Sequence, residues 1–397
     1  MTANEKENWS NRLSPGVQAI PPSGIRKFFD IAAQMEDVIS LGVGEPDFVT
    51  PWPIREACVY GLEQGYTSYT ANRGLIELRQ EIANMYHNKY QVDYDPATEI
   101  LTTVGVSEAM DLAMRALLKP GDEVLIPEPC YVSYAACTTL AGGVPVPVPA
   151  KLENEFRIQP EELEEKLTPK TKILLIGYPN NPTGAIMTRD DLLAIADFAE
   201  KHDLIVISDE IYGALTYGGE EHACFASLPG MKDRTILLNG FSKAYAMTGW
   251  RIGYALGNPD FIAAMNKIHQ YTMLCAPVTA QLGAIEALRH CEKPMKKMVR
   301  EYDRRRRLIY DGLTKMGLPC FEPKGAFYIF PDITPTGYTS DEFANALLKT
   351  EHVAVIPGNA FGACGEGHVR CSYATSIDKI SEALTRIEHF ITHHQKK

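Results

Sequence analysis

The sequence predicts an α/β fold, with a large domain around a mostly parallel central sheet and a smaller α+β domain beside it. Two observations support this. Short apolar runs alternate with longer segments of helical periodicity through the middle of the chain, which is typical of strands joined by crossover helices. Polar residues directly follow these runs, as they do where an open parallel sheet presents side chains at one edge.

Four apolar runs are predicted to be strands of the central sheet. In chain order they are Glu123–Pro127, Lys172–Tyr178, Leu204–Ser208 and Thr235–Asn239. The segment Thr188–His202 lies between the second and third runs. It has a threonine at its start, acids in its first turn and apolar residues at helical spacing, so it is predicted to be a helix.

The C-terminal part of the chain has a different pattern. A long basic helix is predicted over Lys296–Lys315, followed by a strand over Gly325–Pro331 and by further strand and helix signals. We predict that residues 1–45 and 291–397 form the smaller domain and that residues 46–290 form the large one.

Composition and charge exclude several classes of function. The chain has 397 residues and a formal net charge of −11, which argues against a polyanionic partner such as nucleic acid. No apolar run has the length of a membrane helix, and the polar N-terminus resembles no secretory signal. Nine cysteines are scattered without a C-x-x-C pair, so neither disulfides nor a metal site are expected, and a cytoplasmic location follows by elimination. The run Arg304–Arg307 is either an anion-binding patch or a solvated helix face.

Side chains able to bind or catalyse follow the four predicted strands. They are Tyr131, Asn181, Asp209, Tyr212, Ser242 and Lys243. Because ligands of open parallel sheets bind beyond the carboxyl ends of the strands, these residues are expected to form one site. Neither a P-loop nor a dinucleotide-binding fingerprint is present in the sequence, which removes those two nucleotide-binding alternatives.

Lys243 is the first of three predicted catalytic residues, and the others are Asp209 and Tyr212. A lysine just beyond a buried strand is partly desolvated, which frees its amine to attack a carbonyl. The segment Ser242–Gly253 (SKAYAMTGWRIG) closely resembles the active-site segment of class I aminotransferases, the fold-type I pyridoxal-phosphate enzymes. The resemblance runs in order from Leu41 to Tyr373. It implies that pyridoxal 5′-phosphate is bound to Lys243 as a Schiff base, and that Lys243 carries the proton during transamination.

The resemblance also implies roles for the residues around the cofactor ring. Asp209 would keep the pyridine nitrogen protonated, so that the ring can accept electrons from the substrate. Tyr212 and Asn181 would hydrogen-bond the ring 3-oxygen, and Tyr131 would lie on the ring face. Asp209 as a helix N-cap and Tyr131 as a core tyrosine are the structural alternatives.

The cofactor phosphate is expected at the start of a predicted helix, where backbone N–H groups lack acceptors. The helix residues concerned are Gly105, Val106 and Ser107. Arg251 would add a planar fork of donors and Ser242 a hydroxyl group. Tyr69 resembles the tyrosine that reaches the phosphate from the neighbouring subunit, so a homodimer with shared active sites is implied.

Substrate binding is assigned by resemblance to Arg370, which would clamp the α-carboxylate, with Gly44 allowing close backbone approach. Tyr131 and Asn181 complete the predicted substrate site. Arg370 could instead form a surface ion pair, and Gly42 with Gly44 could be a simple turn.

The segment Ile20–Phe29 resembles the branch that contains aromatic and broad-range aminotransferases. Ser107 stands where relatives that prefer acidic substrates can carry a lysine. We therefore expect an aromatic or neutral amino acid as donor and a 2-oxo acid such as 2-oxoglutarate as acceptor. An aspartate-preferring aminotransferase and a carbon–sulfur β-lyase are the alternatives within the fold; a non-catalytic regulator is the alternative from another class.

Overall fold

The computed structural model describes residues 9–21 and 35–394, so most of the segment Ile20–Phe29 lies outside the described residues. The strands, numbered in chain order, are β1 (Ile39–Ser40), β2 (Ile100–Thr103), β3 (Glu123–Glu128), β4 (Val144–Pro149), β5 (Thr171–Gly177), β6 (Ile205–Asp209), β7 (Thr235–Gly240), β8 (Gly253–Leu256), β9 (Tyr328–Ile329), β10 (Val353–Ala354), β11 (Ile356–Pro357) and β12 (Val369–Ser372).

The α-helices cover Pro15–Gln18, Trp52–Glu63, Ile76–Tyr90, Gly105–Leu117, Ser133–Leu140, Pro160–Glu164, Arg189–Lys201, Pro259–Thr272, Val278–His290, Glu292–Lys315, Ser340–Glu351 and Ile377–His393. Short 3-10 helices cover Trp9–Arg12, Leu152–Asn154, Phe225–Ser227, Thr334–Thr336, Gly358–Phe361 and Ala363–Gly365.

A seven-stranded sheet lies at the centre, in the order β2-β8-β7-β6-β5-β3-β4. Strand β8 runs antiparallel to its neighbours β2 and β7, and the strands from β7 to β4 are all parallel. The predicted α/β arrangement with a mostly parallel sheet is therefore confirmed. The four predicted runs correspond to β7, β6, β5 and β3, which lie side by side, so their carboxyl ends meet at one edge.

Strand β4 was not predicted, because its sequence VPVPVP alternates valine with proline. Proline cannot donate a backbone hydrogen bond and is confined to sheet edges. The strand lies at the edge of the sheet and pairs only with β3. Its position explains why these prolines are tolerated.

Helices cover both faces of the central sheet. Successive side chains of a strand point to opposite faces, so β5 contributes to two cores. Leu174 packs into the core that includes the helix Arg189–Lys201, whereas Ile173 packs into the core that includes Gly105–Leu117. This burial on both faces accounts for the nearly continuous apolar sequence of the strand.

The helix predicted over Thr188–His202 is confirmed, and its start has a clear local cause. Thr188 is the N-cap, and its Oγ1 accepts a hydrogen bond from Asp191 N at 3.2 Å. Asp191 Oδ2 in turn accepts from Thr188 N at 2.8 Å. This reciprocal capping satisfies two backbone donors that the first turn leaves without acceptors.

The C-terminal part contains a three-stranded antiparallel sheet of β11, β12 and β9, while β1 pairs with β10 in parallel. Residues 39–40 are thus tied to residues 353–354, which supports joining the N-terminal segment to the C-terminal part. The domain boundaries themselves stay a prediction.

The strand predicted over Gly325–Pro331 is wrong in length, because only Tyr328–Ile329 enters the ladder with β12. Gly325 N and Ala326 N donate instead to Gly184 O and Leu215 O, in the loops that follow β5 and β6. Ala326 also adopts a left-handed backbone, with φ of 56°, which interrupts an extended strand.

The run Arg304–Arg307 contains two exposed arginines, Arg304 and Arg307, as expected of a solvated helix face, and two buried ones. Arg305 is buried and its Nη1 lies 2.8 Å from Asp47 Oδ1. Arg306 is also buried and pairs with Asp303 and Glu322. These two arginines tie the helix Glu292–Lys315 to neighbouring segments through carboxylates.

None of the helices in the described ranges combines the length and the apolarity that crossing a membrane requires. The same ranges contain no group of three or more His, Cys, Asp or Glu side chains that could hold a metal ion.

Candidate active site

One cavity of about 520 Å³ opens at the carboxyl edge of the central sheet. Asp209 ends β6, Lys243 follows the end of β7, and Asn181 follows the end of β5. The predicted site residues that line this cavity are Gly44, Val106, Ser107, Tyr131, Asn181, Asp209, Tyr212, Ser242, Lys243, Arg251 and Arg370. Gly105 and Tyr69 do not line it. The structure therefore brings together nearly the whole predicted site.

Lys243 reaches into the cavity just beyond β7. Its Nζ donates a hydrogen bond to Gly44 O at 2.7 Å and lies 5.6 Å from the ring centroid of Phe327. Burial lowers the pKa of the Lys243 amine to about 8, while the Glu45 carboxylate acts in the opposite direction. An appreciable fraction of the amine is therefore neutral, and nucleophilic, near neutral pH.

Asp209 is buried beneath the cavity, and neutral groups donate to its carboxylate. Tyr134 Oη donates to Oδ2 at 2.8 Å, and Ile211 N donates to Oδ1 at 3.2 Å. Burial raises the pKa of Asp209 to about 6, although these two hydrogen bonds act to lower it. Because this buried carboxylate accepts hydrogen bonds from neutral donors, a cation that enters the adjacent cavity would stabilise it.

Tyr134 is a site residue that the sequence analysis missed. It lies three residues after Tyr131, and their ring centroids are 5.8 Å apart in an edge-to-face arrangement. A side chain at Gly177 would collide with the Tyr134 hydroxyl, so the glycine that ends β5 makes room for it. The three-residue spacing between Tyr131 and Tyr134, which is typical of a helix, was the sequence signal that could have identified Tyr134.

The start of the helix Gly105–Leu117 forms one end of the cavity together with Arg251. Gly105 has φ of +77°, and a Cβ there would lie 2.6 Å from Arg251 Nη2. Glycine is therefore needed both for the backbone conformation and for the approach of the guanidinium. Arg251 Nη1 is held by Thr248 O at 2.9 Å, and Ser242 is buried on the same lining. Backbone N–H groups and a guanidinium together suit a phosphate.

Arg370 also lines the cavity and is buried. Its Nη1 donates to Asn181 Oδ1 at 2.9 Å and its Nη2 donates to Gly42 O at 2.6 Å. The guanidinium carbon lies 4.5 Å from the ring centroid of Tyr328 and 4.7 Å from that of Phe361. Arg370 Nε has no hydrogen-bond partner within the described part of the chain. Arg370 is thus no surface ion pair, and it suits a planar carboxylate.

Tyr328 is the second residue that the sequence analysis missed. Its hydroxyl lies 2.9 Å from the hydroxyl of Tyr212, and a side chain at Gly44 would collide with it. Gly44 is therefore required by the close approach of Tyr328, not by a turn. The strand β9 that carries Tyr328 was predicted, but nothing local in its sequence relates it to Gly44 or Tyr212.

Tyr69 lies away from the cavity of its own chain and is 83% exposed. Its loop is joined to a neighbouring one by a hydrogen bond from Asn72 Nδ2 to Leu274 O at 2.7 Å. Tyr271, in the helix before that second loop, is 84% exposed. Both tyrosines therefore present large aromatic side chains to the surface of this chain.

Comparison with known proteins agrees with this geometry. The family profile described as "Aminotransferase class I and II" matches residues 36–387. An aspartate aminotransferase of Pyrococcus abyssi is 50% identical, with 95% of this chain and 97% of that protein covered. An aromatic-amino-acid aminotransferase of Thermococcus litoralis is 47% identical, with the same coverage of 95% and 97%.

A solved structure of an aromatic aminotransferase from Pyrococcus horikoshii superimposes with a TM-score of 0.89 and 47% identity, covering 93% of this chain and 98% of that one. This likeness over nearly the full length confirms the fold-type I arrangement. The chain belongs to the class I and II aminotransferases, and it is an enzyme that uses pyridoxal phosphate.

Proposed function

We propose that this aminotransferase moves the amino group of an aromatic or neutral L-amino acid to a 2-oxo acid such as 2-oxoglutarate, with Lys243 holding the cofactor and carrying the proton. One observation carries the proposal. The Lys243 amine, the Asp209 carboxylate and the Arg370 guanidinium open onto the same cavity. Together they provide a nucleophile, a partner for a cationic ring and a binder for the substrate carboxylate.

The donors and acceptors of the cavity suit pyridoxal phosphate. Arg251 and the N–H groups at the start of Gly105–Leu117 would hold the phosphate at one end. The hydrogen-bond donors of Asp209 in the described residues, Tyr134 and Ile211, are neutral, so a protonated ring nitrogen would provide the cation that this carboxylate lacks. When bound, the cofactor supplies an electron sink for the charge that develops at the substrate Cα.

Lys243 would move the proton at the substrate Cα. With a pKa of about 8 its amine can accept a proton and return it near neutral pH. One short segment contacts both this amine and the substrate-binding arginine, since Gly44 O accepts from Lys243 and Gly42 O accepts from Arg370. Neighbouring carbonyl groups thereby position the proton carrier relative to the bound carboxylate.

The charge of the cavity favours aromatic or neutral donors. Within the described residues, its lining has three cationic side chains, Lys243, Arg251 and Arg370, and each has a proposed task. The lining also includes the carboxylate of Glu45. A second carboxylate, as in aspartate, would meet no further cation there and would approach a negative charge. The aspartate-preferring alternative is supported by the relative from Pyrococcus abyssi.

The substrate proposal is tested by a half-reaction screen. The cofactor-loaded protein is mixed with tyrosine, phenylalanine, alanine or aspartate, and the loss of the near-visible absorbance of the bound cofactor is followed. We expect faster loss with the first three than with aspartate at equal concentration. The reverse order would contradict the proposed donor class. Release of pyruvate and ammonia from cystathionine, added without an oxo-acid acceptor, would identify a carbon–sulfur β-lyase.

We propose that the enzyme is a homodimer in which Tyr69 completes the site of the partner subunit. The exposed side chains of Trp52, Tyr69 and Tyr271 support this, since large exposed apolar surfaces mark interfaces. Mixing Tyr69→Ala with Lys243→Ala subunits should restore activity that each variant lacks, because hybrid dimers contain one complete site. No recovery from subunits that do exchange would contradict the shared site.

A cytoplasmic location is also proposed, because all nine cysteines are free thiols.

A further inference from the structure

A buried histidine and a partly buried glutamate form a pair behind the phosphate end of the cavity. His269 is fully buried in the helix Pro259–Thr272, and its Nδ1 lies 2.6 Å from Glu108 Oε1. Glu108 belongs to the first turn of Gly105–Leu117, whose start is the proposed phosphate site. The two helices pack against each other. Neither side chain lines the cavity, and neither has a task in the proposed chemistry.

Glu108 satisfies a backbone donor at the start of its own helix. Val104 is the N-cap residue, and its apolar side chain cannot accept a hydrogen bond. Glu108 Oε2 accepts from Val104 N at 2.5 Å in its place. In the first turn that follows, the N–H groups of Val106 and Ser107 have no acceptor within the helix, and both residues line the cavity. The N–H group of Val104 is thus occupied, whereas those of Val106 and Ser107 remain available to an anion.

His269 determines where the Glu108 carboxylate can point. A carboxylate in the first turn is attracted to the same N–H groups and the same positive helix end as a phosphate. With one oxygen on Val104 N and the other on His269 Nδ1, it cannot turn toward Val106 or Ser107. An ionised carboxylate only accepts hydrogen bonds, so Nδ1 carries the proton. In the described ranges Nε2 has no partner, so the contact with Glu108 is the only hydrogen bond of this buried ring there.

We propose that Glu108 and His269 are positioning residues for the cofactor phosphate. His269 holds the Glu108 carboxylate against Val104 N, so that the N–H groups of Val106 and Ser107 stay available to the phosphate. This inference rests on the proposed phosphate site at Gly105, Val106 and Ser107. It adds residues that touch neither cofactor nor substrate and act through the helix start.

The test compares two ligands on the cofactor-free protein, pyridoxal phosphate and pyridoxal, whose binding is followed by absorbance. For the parent we expect much tighter binding of the phosphate-bearing compound. In His269→Leu the dissociation constant for pyridoxal phosphate should rise by about tenfold, the effect of one misplaced charge at a helix start. Binding of pyridoxal should not change, because it has no phosphate to be positioned.

Two further variants separate positioning from general damage. His269→Asn keeps an N–H donor near the place of Nδ1, so it should bind pyridoxal phosphate nearly as the parent does. His290→Leu is the matched control, since the exposed His290 forms a similar 2.9 Å contact with Glu286 at the surface. It should leave both dissociation constants unchanged. If the leucine variant at 269 does not fold, His269→Ala, which also removes the donor to Glu108, is measured in its place.

The possible outcomes are distinct. An equal loss of affinity for both ligands, or no loss for either, would overturn the positioning role of His269. An asparagine variant as weak as the leucine variant would show that the hydrogen bond is not the cause, which also overturns it. If the parent itself binds both ligands equally well, the phosphate site is wrong, and the proposed function fails at that point as well.

Discussion

The two sides of the cavity are built in different ways. The cofactor wall, defined here as Asp209 and Lys243, comes from the ends of the adjacent parallel strands β6 and β7. The substrate rim, defined here as Gly44, Tyr328 and Arg370, comes from three segments far apart in the chain. One sheet fixes the positions of the wall residues. The rim residues come together only when the N-terminal segment packs against the C-terminal part.

This difference separates two tasks. In the proposed roles, residues of the wall would act on the cofactor, which every substrate shares, so their loss should affect turnover with all substrates alike. Residues of the rim would contact the substrate, so their loss should act mainly on the Michaelis constant. The rim is also held by long-range contacts, such as the bond from Arg370 to Gly42 O, which joins residues 328 positions apart.

Replacing the amine of the wall should have the largest effect. Lys243→Ala should lower kcat by about 10⁴-fold with every amino acid, because it removes the proposed proton carrier. Thermal unfolding of the cofactor-free protein should change little, and the control is Lys324→Ala, which removes a half-buried lysine that pairs with Glu220 away from the cavity. A variant that retains steady-state turnover would exclude Lys243 from the mechanism.

Neutralising the carboxylate of the wall should have the next largest effect. Asp209→Asn should lower kcat by roughly 10³-fold, the range seen for loss of one electrostatic stabiliser. The reduction should be the same for aromatic and neutral donors. Unchanged turnover, measured with saturating cofactor, would show that Asp209 does not keep the ring nitrogen protonated.

Truncating the arginine of the rim should raise KM more than it lowers kcat. For Arg370→Leu we expect KM to rise by about 100-fold for every amino acid, the scale of losing one partner of a buried charged contact. An exposed arginine of the long helix, changed in Arg304→Leu, serves as the control. A normal KM in Arg370→Leu would place the carboxylate binder elsewhere and end the distinction between wall and rim.

The hydroxyl of Tyr134 should have a smaller effect that depends on pH. Its hydrogen bond holds the pKa of Asp209 down, so Tyr134→Phe should raise that pKa further above about 6. The protonated carboxyl cannot pair with a cationic ring, so cofactor affinity is lost as pH falls, and this loss should begin at a higher pH in the variant. Turnover near neutral pH should fall by about tenfold. Identical pH profiles of cofactor affinity would contradict this.

The smallest effect is expected at the rim tyrosine. Tyr328→Phe removes one neutral hydrogen bond to Tyr212 and keeps the ring over Arg370. We expect KM to rise about threefold with little change in kcat. A large loss of kcat with an unchanged KM would indicate that Tyr328 acts in the chemical step, as the residues of the cofactor wall do.

The sequence predicts the wall better than the rim, and the reason is physical. Lys243 and Asp209 follow buried apolar runs, so local pattern and sheet geometry suffice to bring them together. Arg370 was assigned through resemblance, and its contacts with Gly42 and Asn181 depend on tertiary packing that no local pattern reports. Tyr328 was missed for the same reason.

Local sequence patterns were limited in the same way when they were used to predict the strands and helices. Strands buried on both faces, such as β5 and β6, were predicted from their apolar runs, and the helix after Thr188 from its cap. The proline-containing edge strand β4 was not predicted, and β9 is shorter than expected because Ala326 bonds to Leu215 O, which only the folded chain brings near. Arg305 and Arg306 became buried because carboxylates meet them from other segments.

Locating the covalent bond to the cofactor tests the central claim most directly. The cofactor-loaded protein is reduced with borohydride, which makes the bond permanent, and its peptides are mapped by mass spectrometry. We predict that the modified residue is Lys243, and that Lys243→Ala carries no specific modification at another lysine. A colourless parent protein that stays unmodified with excess pyridoxal phosphate, or a modification at another lysine, would contradict the account.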